Sequence, residues 1–436
     1  MSSRSCGGAE RPDEWILRGN HRDAWVFGAS DPLSGHVAML AEAKAFGALA
    51  RAGHRPRRTL MYLSWDAEEP GLGGSTEWVE THAAEQLKRK AVAYINTDNI
   101  ERGLLNIEGS HAFERLVTQA ADDVLDPETG VSLAARLRGA WRVAASRPGA
   151  SDTARARAKT AADRSQNLPL SPLGSGSDYA SFICHLGISS LHFSFGGEGH
   201  SAGVYHSAYD TWEHYTRFDD PGLAYAGALA KLSGRVVLRL AQAELPPQRY
   251  SGFANLLATY LGEIKALTER KREEASVQRT LLKEDLYRLA DDPRRPRGDP
   301  TPLSPVPWLN FAPLDNAIER LKVSALAFDA AVSAKGLDLS PATKAELFAM
   351  LAPLEQALTD DRGLPGRPWY RHLIYAPGRF TGYGSKTLPG VREAVEEERW
   401  SDAERQVLTT AEAIQAYASG VERARRLIVP DAFGDA

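Results

Sequence analysis

The sequence predicts an α/β protein: a layered core of strands and helices, followed by an all-helical region. Three observations predict it. Between residues 14 and 245 short apolar runs alternate with amphipathic stretches, as they do in α/β layer folds. Most of these runs are apolar throughout, which suits strands covered on both faces. After Leu245-Pro246-Pro247 the apolar period becomes helical. We therefore divide the chain into 1–245, a sheet-and-helix domain, and 246–436, a helical domain. At about 100 to 200 residues per domain, the length allows this division.

Glu14-Trp15-Ile16-Leu17-Arg18 reads as the first strand, and residues 34–52 as a helix with Val37, Leu40 and Ala41 on its apolar face. Strands follow at 59–65, 91–96 and 188–193. The stretch 126–172 is rich in Ala and Arg, with eight basic residues against two acidic ones between 131 and 164. It reads as a solvated surface insertion with some helix, the alternative being a basic loop facing a substrate. Beyond the boundary, Phe253, Leu256, Leu257, Tyr260, Leu261, Ile264 and Leu267 form one apolar stripe. Leu314, Ile318, Leu321, Ala325 and Phe328 form another. Ser340-Pro341 supplies an N-cap hydroxyl followed by proline at the first helical position.

With 43% hydrophobic and 25% charged residues, the composition argues against a disordered or fibrous chain. A formal charge of −4 excludes general attraction to nucleic acid or an anionic membrane. Cys6 and Cys184 are too few for a disulfide framework or a thiolate zinc site, and they do not fix the redox compartment. No membrane-length apolar run is read, and Met1 to Pro12 lacks the apolar stretch of a signal peptide.

Histidines and carboxylates cluster after the expected strands, where open α/β sheets form their ligand crevice. His21 and Asp23 follow the first strand, and Asp31-Pro32 comes ten residues after His21. Asp66, Glu68 and Glu69 follow the second strand, Asp98 the third, and Tyr205-His206 lies further on. Two histidines and three carboxylates from separate segments suit a pair of zinc ions, each with one histidine and one terminal carboxylate, and one carboxylate shared. Mixed nitrogen and oxygen ligation fits zinc better than calcium or magnesium.

The runs Gly19-Asn20-His21-Arg22-Asp23-Ala24-Trp25-Val26-Phe27-Gly28, Asp31-Pro32, Ser64-Trp65-Asp66-Ala67-Glu68-Glu69, Gly74-Ser75-Thr76-Glu77-Trp78 and Leu173-Gly174-Ser175-Gly176-Ser177-Asp178 are distinctive. Together with Tyr370-Arg371-His372-Leu373-Ile374-Tyr375-Ala376-Pro377, they resemble the glutamate carboxypeptidase II and transferrin receptor family of zinc peptidases. The resemblance runs from about Ala9 to the C-terminus. It implies a three-layer α/β/α zinc-exopeptidase core in 1–245 and a helical dimerisation domain in 246–436. It also implies hydrolysis of a terminal peptide bond of a peptide or N-acyl dipeptide, by an aminopeptidase or a carboxypeptidase route.

By the same resemblance Asp31 would bridge two zinc ions, with His21 and Asp98 completing one site and Glu69 and His206 the other. Glu68 would be the general base, Asp23 would orient His21, and Tyr205 would donate to the developing oxyanion. Gly176, Ser177 and Tyr383 would contact substrate, Glu77 and Glu80 would hold a structural calcium, and Asp31-Pro32 would be cis. Trp65 and Trp78 are expected in the core beside the site. His192 and His200 could line the cleft, the plainer reading being structural or surface histidines. The family is largely extracytoplasmic, and the helical domain implies a homodimer.

The sequence also departs from that family. Relatives carry a long segment before the His21 motif, with part of the peptidase core and an inserted apical domain, so a truncated gene start and a natural minimal form are both open. The family's arginine cluster is replaced by Ser190-Leu191-His192-Phe193-Ser194-Phe195, and its Lys-Tyr pair by Gly382-Tyr383, with Lys386 a candidate substitute. Strict glutamate specificity is therefore not expected. The competing readings are a non-catalytic, receptor-like or dimerisation protein and an inactive fragment.

Overall fold

The computed structural model describes residues 2–199 and 202–430. Its main sheet has six strands: β1 (Ser2–Cys6), β2 (Arg11–His21), β3 (Arg58–Trp65), β4 (Ala91–Ile100), β5 (Gly103–Gly109) and β6 (Ser190–Gly197). They lie in the order β1-β3-β2-β4-β6-β5. β3, β2, β4 and β6 run parallel, while β1 and β5 close the two edges antiparallel. The four expected strands are the parallel ones, and the edges carry weaker signals. β1 is the polar run Ser-Ser-Arg-Ser-Cys, and β5 follows almost directly on β4 with no turn residue other than Gly103 to mark it.

Alternate residues of the parallel strands face two different cores. Ile16, Leu60, Ile95 and Leu191 pack with Phe46 and with Leu229 and Val236 of the helix Ala224–Gln242. Leu17, Trp65, Tyr94 and Phe182 belong to a second cluster, which continues without a break into Phe253, Leu321 and Tyr417 of the helical region. Each fully buried side chain of this kind contributes about 1.5 to 3 kcal/mol. The helical region is thus packed on one sheet face and shares its core.

The helix α1 (Leu33–Arg51) corrects one expectation. Val37 and Leu40 are exposed, at 44% and 53%, and the buried face carries Ser34, Gly35, Ala38, Met39, Glu42 and Phe46. Small residues let α1 approach the sheet closely, and buried Glu42 is matched by the guanidinium of Arg18 on β2 at 3.3 Å. A count of large apolar residues points to the other face.

The stretch 126–172 contains the helices Leu133–Ser146 and Asp152–Ala162, capped by the hydroxyls of Ser132 and Ser151. Two of its arginines serve the fold: Arg138 is buried and donates to the carbonyls of Asp163 and Gln166, and Arg136 pairs with Asp126 and Glu198. In the helical region Ser251–Lys283, Ala312–Lys335 and Trp400–Ile428 are the long helices, and both expected apolar stripes supply buried residues. Ser340 caps the helix Pro341–Leu351 by accepting the N–H of Thr343 at 3.1 Å. No described helix is long and apolar enough to cross a membrane, and both cysteines are free.

One segment of the helical region returns to the sheet domain. β7 (Tyr375–Pro377) pairs with β8 (Ser385–Thr387), and the N–H groups of Arg371 and His372 donate to the Cys184 carbonyl at 2.7 and 3.0 Å. A Cβ on Gly174 would stand 2.1 Å from the Tyr383 carbonyl oxygen, so glycine allows the loop between β7 and β8 to seat against residues 174–176. That contact carries Tyr383 to the carboxyl edge of the sheet.

Candidate metal centre and active site

The chemistry-bearing residues stand at the carboxyl ends of β3, β2 and β4, neighbours in the sheet. His21 ends β2. Its Nδ1 lies 3.0 Å from the backbone oxygen of Asp23, an acceptor, so Nδ1 carries the proton and Nε2 turns toward carboxylates. Nε2 is 3.0 Å from Asp98 Oδ1, 3.5 Å from Asp31 Oδ1 and 3.9 Å from Glu68 Oε2. Asp31 precedes α1 through a cis peptide bond to Pro32. Its Oδ2 lies 3.0 Å from His206 Nε2, which is 3.1 Å from Glu69 Oε2.

Two groups of potential metal ligands result among the described residues: His21, Glu68 and Asp98, and Asp31, Glu69 and His206. Asp31 reaches toward both. The local backbone is shaped to present them. Ala67 and Leu72 flank the Glu68-Glu69 turn at φ of 57° and 60°, and His206 itself has a φ of 57°, a region that non-glycine residues seldom occupy. Asp23 anchors the turn, its carboxylate accepting the N–H of Glu68 at 3.1 Å and of Glu69 at 3.2 Å. Asp210 accepts from Ser30 and Asp31 at 2.7 and 3.1 Å and holds the loop before α1.

The electrostatics fit a cationic guest. Burial, reinforced by Asp98, Asp178 and Glu69, pushes the Glu68 carboxyl up to about 9 although His21 opposes the shift. Burial and the neighbouring Asp31 push Glu69 to about 7. Burial disfavours charge on His21, but its bonds to Asp23, Asp31 and Asp98 outweigh that and hold its pKa up. Glu69 Oε1 is enclosed with no hydrogen-bond partner among the described residues. Crowded carboxylates, two imidazoles and an orphaned buried oxygen are the donor set expected around divalent metal.

The cleft over these groups is also lined by Leu72, Asn99, Gly176, His192, Tyr205 and Tyr383. Tyr205 is half exposed, stacks on the His206 ring at 3.6 Å between centroids, and hydrogen-bonds through its hydroxyl to Tyr383. Trp65 and Trp78 pack together beneath the site at 5.4 Å.

Several expectations need correction. Ser177 is 1% exposed, and its hydroxyl is held by Asn96 at 2.9 Å and by Asp98, so it faces the protein and not a substrate. Gly176 lines the cleft, but its N–H already donates to the Tyr179 hydroxyl at 3.2 Å. Lys386 is committed to Glu396 at 2.6 Å and does not line the cleft. His192 does line it, against the structural reading, while His200 lies outside the described residues. Glu77 and Glu80, the pair expected to hold calcium, are exposed, and Glu80 accepts the Trp369 indole N–H at 2.6 Å. Asp210 and Asn96 were not singled out, although Asn96 is visible in sequence as a polar residue inside an apolar strand.

A mixed α/β sheet with His–carboxylate groups crowded at its carboxyl edge defines the class, an α/β metallopeptidase fold. The chain belongs to peptidase family M28, whose model matches residues 5–222, and residues 309–422 match the transferrin receptor-like dimerisation domain. The resemblance carried by the motifs is thereby borne out. The chain is 33% identical over 420 residues to a probable glutamate carboxypeptidase, LAMP1, of Arabidopsis thaliana, covering 94% of this chain and 52% of that protein. It is 31% identical over 389 residues to a probable glutamate carboxypeptidase of Arthroderma benhamiae, covering 88% and 46%. It is 28% identical over 433 residues to the aminopeptidase NAALADL1 of Rattus norvegicus, covering 95% and 51%. The chain spans about half the length of the curated relatives it matches.

Proposed function

We propose that this chain carries the catalytic centre of a zinc-dependent exopeptidase that hydrolyses a terminal peptide bond, with Glu68 as general base. One observation carries the reading: Asp31 lies 3.5 Å from His21 and 3.0 Å from His206, and so joins the group His21, Glu68 and Asp98 to the group Asp31, Glu69 and His206. His21 and Asp98 would hold one metal, Glu69 and His206 the other, with Asp31 shared. When bound, two zinc ions would polarise the scissile carbonyl and acidify the attacking water toward a pKa of about 7.

The chain's own groups do the rest. Glu68 takes the proton from the attacking water at its carboxylate and returns it to the leaving amine. Burial and the neighbouring carboxylates raise its proton affinity, and bound cations would lower it again and leave the carboxylate ionised to accept that proton. Asp23 fixes the His21 ring through its backbone carbonyl and the Glu68 backbone through its carboxylate. Tyr205 lines the cleft, and its hydroxyl, released from Tyr383, would donate to the oxygen on which charge develops.

The printed names of the relatives include both carboxypeptidases and an aminopeptidase, so both ends of a peptide are tested. The dimerisation-domain match supports a homodimer through the helical region. Purified protein is expected to hold about two zinc ions per chain and to cleave aminoacyl or N-acyl dipeptide substrates. Activity lost to a chelator should return with zinc. Full metal loading with no turnover on either substrate class would remove the exopeptidase reading.

A further inference from the structure

A run of hydrogen bonds beneath the cleft has its direction set at one end. The indole Nε1 of Trp65 can only donate, and it meets the Tyr94 hydroxyl oxygen at 2.9 Å. Tyr94 must then send its own hydrogen to Asn96 Oδ1, 2.7 Å away. That fixes which end of the Asn96 amide is nitrogen, an assignment that only the hydrogen-bond network can make. Asn96 Nδ2 therefore donates to Ser177 Oγ at 2.9 Å and to His192 Nδ1 at 3.1 Å. Trp65, Tyr94 and Asn96 are fully buried, so water does not reorder the run. Gly19 makes room for it: a Cβ there would stand 2.2 Å from the Tyr94 hydroxyl and 2.6 Å from the indole nitrogen.

The consequence falls on His192. Asn96 and His192 are register partners on β4 and β6, so the two side chains meet on one sheet face. Since Nδ1 accepts, the neutral ring carries its hydrogen on Nε2. Protonating Nδ1 would set a donor against the Asn96 donor. Burial, aided by Arg18, already holds the ring's pKa down to about 4. Among the described residues no group hydrogen-bonds Nε2, and Nε2 is not one of the enclosed polar atoms, while the ring lines the cleft beside Asp98, Gly176 and Tyr205.

We infer that His192 Nε2–H is a fixed, uncharged hydrogen-bond donor in the substrate cleft, and that it selects peptides bringing an uncharged oxygen acceptor, such as a glutamine side-chain amide. An apolar side chain leaves this donor unpaired, and an ammonium group meets it donor to donor. The described lining of the cleft offers no lysine or arginine, so a neutral acceptor is the group this donor suits. As a statement about substrates, the inference rests on the peptidase reading above. As a statement about the ring, it does not.

The test has two parts. Dipeptides differing only in glutamine, norleucine or lysine at the varied residue are compared by kcat/KM, at both positions. Glutamine is expected to exceed norleucine about fivefold to tenfold at one position, the size of one neutral hydrogen bond. His192→Phe should bring that ratio to within about twofold of one. Asn96→Asp, whose second oxygen accepts from Nδ1 and so moves the hydrogen there, should lower it as well. A glutamine preference untouched by His192→Phe overturns the inference. Independently of turnover, nitrogen NMR of the histidine rings should find Nδ1 of His192 unprotonated and Nε2 protonated from pH 8 down to about 5. Free glutamine should shift Nε2, and free norleucine should not. A protonated Nδ1, or equal shifts with the two amino acids, overturns it even where no peptide is cleaved; loss of all turnover with the expected NMR result removes only the peptidase reading.

Discussion

The carboxylate of Asp23 accepts the backbone N–H of Glu68 at 3.1 Å, while the carbonyl of the same aspartate accepts the Nδ1–H of His21 at 3.0 Å. One residue thus fixes a candidate ligand with its main chain and the candidate base with its side chain. Asp23→Ala keeps the carbonyl but releases the Glu68-Glu69 turn. Zinc affinity is expected to fall about 10- to 100-fold, the usual cost of losing an outer partner of a metal site. Competition against a chromophoric chelator measures it. An affinity equal to wild type would show that the turn keeps its shape without Asp23.

Glu68→Gln separates base from ligand. Glu68 Oε2 is 3.9 Å from His21 Nε2 and Asp98 Oδ1 is 3.0 Å from it, so Glu68 stands close enough to be either base or ligand. The amide keeps the shape and loses the proton acceptor. Turnover should fall by about 10² to 10⁴ while zinc content stays at the wild-type value. Elemental analysis alongside initial rates decides it. Zinc lost in proportion to activity would make Glu68 a ligand.

The parallel strands and the helical stripes were legible because burial writes itself into apolar runs of period two and 3.6. The candidate ligand groups were legible for a related reason: charges directly after apolar strands have no structural excuse. What stayed hidden depends on packing across the sheet. The face of α1 is hidden because its buried side mixes small residues and one paired glutamate with Met39 and Phe46, and Leu40 looks like core but is not. Ser177 sits in a loop that reads as substrate-binding, yet Asn96 across the sheet turns it inward. Tyr383 reaches the cleft only because the β7–β8 loop seats on Gly174, a contact between positions about two hundred residues apart in sequence.

Gly35 tests how tightly α1 presses on the candidate site. A Cβ there would stand 1.9 Å from the Asp98 carbonyl oxygen and 2.6 Å from Asn20 Oδ1. Both neighbours are held: Asn20 accepts from Thr97 at 2.7 Å, and Asp98 lies in β4. Gly35→Ala therefore displaces backbone, and overpacking of this kind costs about 1 to 3 kcal/mol despite the better helix propensity of alanine. Thermal unfolding should show a lower Tm, with weaker zinc binding through displaced Asp98. A rise in Tm would mean that α1 slides freely over β4.

Acid should destabilise the fold through His192. Its folded-state pKa is held down to about 4 by burial and by Arg18, against an ordinary value of 6.5. Between these values the unfolded chain binds a proton that the folded chain refuses, so stability rises with pH there. The contribution is complete above about pH 6.5 and is lost as pH falls toward 4. At pH 5 the loss attributable to this ring is about 2 kcal/mol. Urea unfolding of the zinc-free protein at pH 7.5 and pH 5 should give a larger drop for wild type than for His192→Phe, which has nothing to protonate. The comparison is made between the two proteins because the crowded carboxylates near Glu68 titrate in both. Equal drops would place the acid sensitivity elsewhere and leave the ring free to accept its proton in the folded state.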